Sequence, residues 1–356
     1  LNIKDLKVMQ KILLFFLLLF LMTVSLSGPG LTTAGLPPVL PDAGPVTKLP
    51  QTNLGAINAP LAVLWAQPKK KYAKISLQAA DPAGWTAALT LETRQWLVDK
   101  ADTMALFGER VVILDRRGNW LKVAAVAQRT KLHPAGYPGW VLAKQVARDP
   151  VFLAAQASQP QVIIIVPRTV LFRDRQLTLP LTELSWQVKL PLISETPEIA
   201  EVRLPDGTSG YLPKAVTRSD SALSYHGADA VAQARQFTGQ GYLWAGTSAY
   251  GFDCSGLTFR VYQSQGISLP RDANEQALEG LPVAKADLLP GDLVFFAADN
   301  GRGEIHHVGI YSGHGMMLHA PNNRSPLREE PLETGKYARE YWGARRYSPS
   351  PVSSSL

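Results

Sequence analysis

The stretch that most constrains this chain is GYLWAGTSAYGFDCSGLTFRVYQSQG, residues 241–266. It holds the only cysteine, Cys254, where a glycine- and aromatic-rich loop meets a helical pattern. Leu257, Val261 and Tyr262 recur at helical spacing, Asp253 suits an N-cap and Gly266 supplies a stop. Cys254 is therefore expected at a helix N-terminus, where unsatisfied N–H groups and the helix dipole favour a thiolate over a free thiol of pKa about 8.5. A lone cysteine is ordinarily a small buried hydrophobe. The polar neighbours Asp253 and Ser255 argue instead for a nucleophile.

A nucleophilic thiol needs a base, and six histidines are available. EIHHVGIYSG (304–313) reads as a short buried strand carrying His306 and His307, and GMMLHAPNN (315–323) as the next strand, carrying His319. Side chains alternate faces along a strand, so only one of His306 and His307 can face the thiol. His307 shares its face with Gly309 and Tyr311, and His319 falls on the neighbouring strand of the hairpin. Cysteine, imidazole and a second polar ring follow the nucleophile, base and orienter logic of acyl transfer. No metal or cofactor is called for, because strand alternation spreads the histidines over two faces and no carboxylate or thiolate set completes a zinc site.

YLWAGTSAYGFDCSGL, LPRDANEQ, LLPGDLVFF, HHVGIYSG and MMLHAP, in that order, resemble the NlpC-type cysteine peptidases of bacterial cell walls, which have a papain-like fold. The likeness covers about residues 222–348. It implies Cys254 as nucleophile, His307 as base and His319 as third member. It also implies hydrolysis of the bond between γ-D-glutamate and a diamino acid in peptidoglycan stem peptides.

The expected architecture is α+β, a papain-like domain at 222–348 preceded by two small all-β SH3-like barrels at 51–150 and 151–221. ERVVILDRRGNWLKV followed by GYPGWV resembles a bacterial SH3-like barrel, and the shape returns more weakly between 160 and 218, each half ending in glycine, an aromatic and a short apolar run. Ahead of them, Lys4, Lys7 and Lys11 precede an apolar run from Ile12 to about Leu26, so residues 1–27 read as a signal peptide or an N-terminal membrane anchor, with Met9 a tidier start than Leu1. Residues 28–50 read as a proline-rich linker and 349–356 as a disordered tail. The protein is thus expected outside the cytoplasmic membrane.

The net charge of +7 sits N-terminally: residues 1–221 hold 25 Lys and Arg against 16 Asp and Glu, and residues 222–356 hold 11 against 13. Solvated surface accounts for the excess, an anionic wall polymer is a partner it would suit, and no motif supports nucleic acid. Nothing in the pattern signals an oligomer.

A stem peptide trimmed to a free L-alanine presents a cationic amine, and an unpaired charge in a closed cleft is costly. Asp253 and Asp272 are the candidate anions; the resemblance favours that role, and an ordinary N-cap is the alternative for each. The resemblance also places Tyr137, in the GYPGW turn, over the substrate's N-terminal residue, with plain turn packing as the alternative. Tyr242, twelve positions before Cys254, could donate to the oxyanion beside the N–H of Cys254 or Ser255. Trp244 is expected to line the cleft and Ser255 to bond substrate, against core packing and a plain helix-start serine. Arg271 reads as a surface arginine, and His306, His314, His133 and His226 as incidental. The rival readings are an amidase or acyltransferase on the same scaffold and a non-catalytic wall-binding protein.

Overall fold

The computed structural model describes residues 53–220 and 226–347. The segment read as signal peptide or anchor, the linker at 28–50 and the tail at 349–356 lie outside the described residues. Among the described residues no helix is long and apolar enough to cross a membrane.

The first module contains β1 (Leu54–Ile57), β2 (Leu61–Trp65), β3 (Ala101–Leu106), β4 (Arg110–Arg117), β5 (Trp120–Ala125), β6 (Tyr137–Leu142) and β7 (Val146–Ala147), in the sheet order β3-β2-β6-β5-β4-β1-β7. The second contains β8 (Gln161–Ile164), β9 (Arg168–Phe172), β10 (Pro180–Ser185), β11 (Lys189–Glu195), β12 (Ile199–Arg203), β13 (Ser209–Pro213) and β14 (Thr217–Ser219), in the order β10-β9-β13-β12-β11-β8-β14. Each strand of the second occupies the place of the strand seven earlier in the first, so the weak sequence likeness between the halves reflects one SH3-like topology used twice. Close approach of β2 enforces glycine at 139, where a Cβ would stand 2.7 Å from Leu64 Cβ; at Gly210 a Cβ would meet Leu171 Cδ1 at 3.0 Å, a side-chain end that can shift.

The modules differ between their second and third strands. In the second, residues 173–179 make the connection. In the first, three helices intervene: α1 (Lys70–Gln78), α2 (Pro82–Ala87) and α3 (Leu91–Trp96). Short strands and turns were the expectation here, and the helices correct it. Asp81 caps α2 by accepting from Gly84 N at 3.1 Å, Thr90 caps α3 through Thr93 N at 3.2 Å, and Trp65 stacks on Tyr72 with centroids 4.5 Å apart, pinning the insertion to the barrel. A second correction concerns Tyr137, which opens β6 instead of lying in a turn.

The third region packs α4 (Gly227–Arg235) and α5 (Cys254–Gln263) against an antiparallel sheet of β17 (Leu281–Val283), β18 (Leu293–Ala297), β19 (Ile305–Gly313), β20 (Met316–His319), β21 (Arg328–Pro331) and β22 (Tyr341–Arg346), ordered β17-β22-β18-β19-β20-β21. A two-stranded ribbon, β15 (Thr247–Ser248) with β16 (Gly251–Phe252), leads into α5. Together with the two barrels, this is the expected papain-like α+β architecture. Leu257, Val261 and Tyr262 face the core with Phe295, Val308 and Ile310, as the helical spacing demands. Before α5, Leu243, Ala245 and Tyr250 belong to a core shared with the barrels, so the loop leading to Cys254 is held from outside its own domain.

Candidate active site

Cys254 is the first residue of α5, and Asp253 caps the helix by accepting from Gly256 N at 2.6 Å. Gly256 is required there, since a Cβ would stand 2.0 Å from the Gly246 carbonyl oxygen. The helix start therefore presses directly on the aromatic loop. The expected lowering of the thiol pKa is not what the surroundings produce. Burial and the Asp253 carboxylate push Cys254 up to about 12, against the pull of the Val308 and Ser255 N–H groups and Arg271. Burial likewise holds His307 well below the ordinary histidine range, with His319 adding to the effect. Burial thus disfavours the charged form of the thiol and of the imidazole alike.

His307 lies on β19 and His319 on β20, both almost fully buried. His307 Nε2 and His319 Nδ1 are 2.7 Å apart, and His319 Nε2 meets Glu330 Oε1 at 2.5 Å. Glu330, on β21, is held by Arg328 Nη2 at 3.1 and 3.0 Å. This chain fixes the tautomers. A carboxylate can only accept, so His319 carries its proton on Nε2 and offers a lone pair at Nδ1; His307 then donates from Nε2 and keeps Nδ1 as its basic nitrogen. Burial takes His319 down to about 4, with Glu330 opposing, so this neutral tautomer persists through neutral pH. Glu330 and Arg328 were missed in the sequence; alternation along REEP puts both on one face, but nothing local ties that face to His319. His306, on the opposite face of β19 from His307, reaches the rim of the cleft and pairs with Glu340 at 3.3 Å.

A cavity of about 380 Å³ lies over the thiol, lined by Cys254, Ser255, Tyr242, Trp244, Asp272 and, from the first module, Tyr137 and Asp102. Tyr137 hydroxyl donates to Asp272 Oδ2 at 3.0 Å. Asp272 precedes the short helix Ala273–Gln276 without capping it, so its carboxylate is spent on the cavity. Asp102 was not anticipated; it stands alone in the apolar run of β3, the one signal that could have marked it. Burial, then repulsion from Asp272, raises Asp102 to about 6, and burial raises Asp272 despite Arg271 and Tyr137. Both carboxylates line the one pocket.

Arg271 corrects one expectation. It is 1% exposed, not on the surface, and its Nη2 and Nη1 bond Asp253 Oδ2 and Oδ1 at 2.6 and 3.1 Å, with Ser255 Oγ at 2.9 Å. Asp253 lines the cavity with its carboxylate held by Arg271 on both oxygens, whereas burial still raises Asp272 and Asp102 despite the attraction of Arg271 and Lys122. Ser255 is likewise engaged by Arg271. Tyr242 is buried beside Cys254, and burial keeps its hydroxyl protonated far above the ordinary tyrosine range. Arg94 of α3 donates to the Tyr242 carbonyl at 2.6 Å, Trp244 Nε1 to the Ala101 carbonyl at 2.8 Å, and Thr247 hydroxyl to the Met104 carbonyl at 2.9 Å. The first module thus grips the loop that carries Tyr242 and Trp244.

A model of the NlpC/P60 family matches residues 239–346, and one of the YKFC SH3b2 domain matches residues 164–217. A Bacillus cereus protein named gamma-D-glutamyl-L-lysine dipeptidyl-peptidase is 37% identical over 302 residues, 82% of this chain and 90% of the relative. A Bacillus subtilis protein of the same name is 34% identical over 272 residues, 74% of this chain and 87% of the relative. The crystal structure of an NlpC/P60 family protein from Bacillus cereus matches with a TM-score of 0.78 at 36% identity, covering 83% of this chain and all of the other.

Proposed function

The chain belongs to the NlpC/P60 family of cysteine peptidases, and from that premise we propose that it cleaves the γ-D-glutamyl to diamino acid bond of peptidoglycan stem peptides whose L-alanine carries a free amine. The observation that carries this reading is the pairing of Asp102 with Asp272 under Tyr137. Two carboxylates raised by burial, Asp102 further by repulsion from Asp272, form a receptor for an ammonium, because a cation between them relieves both. The wall that holds Asp102 and Tyr137 comes from the first module, so it closes the cleft at the end where a peptide would begin. The two Bacillus relatives are named for release of a dipeptide ahead of lysine, which requires a substrate that starts two residues before the cut.

In the proposed chemistry, His307 Nδ1 takes the thiol proton as Cys254 Sγ attacks the γ-carbonyl carbon. The developing oxyanion is met by Tyr242 hydroxyl and backbone N–H groups at the start of α5. The His307 imidazolium then protonates the departing amine, the thioester remains on Cys254, and water activated by His307 releases the γ-glutamyl carboxylate. His319, held by Glu330, keeps the base in its working tautomer. Asp253 and Arg271 hold the helix start and do not read the amine. The apolar segment at 12–26 supports export, which puts the enzyme where wall fragments occur. A free-amine requirement would direct it to fragments already cut from the glycan, consistent with murein recycling.

The test is hydrolysis of L-Ala-γ-D-Glu-L-Lys, its diaminopimelate analogue and their N-acetyl forms, with Cys254→Ala as control. Release of the diamino acid from the free-amine peptides alone, lost in the control, is the expected result. Equal cleavage of the acetylated forms would refute the amine reading, and no cleavage of any would shift the assignment to acyl transfer.

A further inference from the structure

A second cavity, of about 320 Å³, lies at the other end of the catalytic helix, where both barrels meet the peptidase domain. Arg260 and Gln263 of α5 line it from one side, Glu109 and Arg110 from the first module, and Gln187, Lys189 and Asp220 from the second. Gln187 is 3% exposed, and neither its Oε1 nor its Nε2 has a hydrogen-bond partner. Its φ is +66°, a conformation that costs energy for a residue with a side chain. A buried amide with both its donor and its acceptor unmatched is expensive to keep. It marks a place for a group that both accepts and donates.

The charges add a second constraint. Two residues on, Lys189 ammonium makes no hydrogen bond or ion pair among the described residues. Burial lowers it from the ordinary lysine range, with Arg260 and Arg218 adding to the effect and Asp220 opposing. Arg110 is held by neutral groups, the Gln156 side chain at 3.3 Å and the Leu153 carbonyl at 3.0 Å. Arg260 is already paired with Glu109 at 2.5 Å. Lys189 and Arg110 thus line a cavity whose carboxylates are Glu109, already paired with Arg260, and Asp220, which attracts Lys189.

We propose that this cavity binds a small zwitterionic dipeptide, its carboxylate on Lys189, its peptide group on the Gln187 amide and its ammonium toward Asp220. A peptide group is what supplies both a donor and an acceptor to one amide, and the cavity has the size of a small-ligand pocket. The site is separate from the cleft, since it lies at the C-terminal end of α5 and shares no lining residue with it.

Glycylglycine is the probe, because it has no γ-glutamyl bond and its binding is read without any hydrolysis. It is titrated calorimetrically into Asp272→Asn protein, in which the amine-reading pair of the cleft is disabled. One saturable site is expected, weakened at least about tenfold by adding Lys189→Met and similarly by adding Gln187→Leu, since each removes a buried polar contact to the ligand. Melting temperatures of the double variants confirm that they fold, and the Gln187 variant serves if the Lys189 variant does not. Absence of saturable binding, or an affinity unchanged by both substitutions, would overturn the proposal.

Discussion

Replacing Asp102 by asparagine tests the amine receptor with little change of shape. In the wild type an ammonium would sit between Asp102 and Asp272, and the substitution removes one of the two charges. A hydrogen bond to a charged group is worth about 1.5–3 kcal/mol, trimmed to about 1–2 kcal/mol because Asp102 is only partly buried and some screening remains, which is roughly 5–30-fold in kcat/KM. The assay is kcat/KM against pH for L-Ala-γ-D-Glu-L-Lys and its N-acetyl form. Below about 6 the Asp102 carboxyl is protonated and cannot pair, so the free-amine rate should climb through that pH and level off before the substrate's own amine deprotonates near 8. Asp102→Asn should lose 5–30-fold on the free-amine peptide, leave the acetyl peptide unchanged and flatten the limb near 6. Stability supplies the control. The folded-state pKa of Asp102 lies above its unfolded value, so its contribution to folding is greatest at low pH and is lost as pH rises through about 6. At neutral pH the variant should therefore melt no lower than the wild type. Equal losses on both peptides, or a limb that survives the substitution, would refute the receptor.

Three further outcomes follow from the same geometry. Tyr242→Phe should cut kcat by about 100-fold with little change in KM, the signature of a donor used only at the oxyanion; a pure KM effect would place the hydroxyl on bound substrate instead. Glu330→Gln should lower kcat by roughly 10–100-fold, less than loss of a direct orienter, because an amide can donate to His319 Nε2 and reverse the tautomer chain; an unchanged kcat would mean that the histidines hold their tautomers unaided. Arg271→Met leaves the Asp253 carboxylate buried without its partner and should cost about 3–5 kcal/mol in urea unfolding, whereas Arg129→Met, which breaks the half-exposed pair with Glu279, should cost under about 1 kcal/mol.

What was legible in the sequence is what local pattern dictates. Asp253 before an apolar helical run is a cap wherever it occurs, so Cys254 had to open α5, and period-two alternation had to separate His306 from His307. The charge state of that cysteine was not legible. The helix start pulls the thiol down and the adjacent Asp253 carboxylate pushes it up, but the burial that weighs most comes from packing. Arg271 failed for the same reason. Arginine defaults to the surface, and only the meeting of Asp253, Ser255 and the Thr103 hydroxyl, which accepts from its Nε at 3.0 Å, makes a buried guanidinium tolerable. Arg94 reaches the Tyr242 carbonyl from 148 positions away, a distance no motif spans.

The duplicated barrels explain how the cleft acquired its closed end. Both modules have the same strand order, so the topology alone cannot make one a substrate-facing wall and the other a support. The difference is the insertion between β2 and β3. It carries Arg94 to the Tyr242 carbonyl and ends at Asp99, which with Asp102 of β3 and Tyr137 of β6 lines the cleft. The second module, lacking the insertion, touches the peptidase domain through structural bonds instead: Ser185 Oγ accepts from Ala249 N at 2.9 Å and Arg218 donates to the Ser264 carbonyl at 3.0 Å. On the proposed reading, recognition of a peptide terminus is shared between Asp102 and Tyr137 of the first module and Asp272 of the peptidase domain. An isolated peptidase domain with Cys254, His307 and His319 intact would keep its nucleophile and base, but would lose Asp102, Tyr137 and the grip on Tyr242 together. Its cleft would be open where a longer chain could pass, so transplanting the first module, and not altering the triad, is what should convert an open-groove relative into one that counts from a free amine.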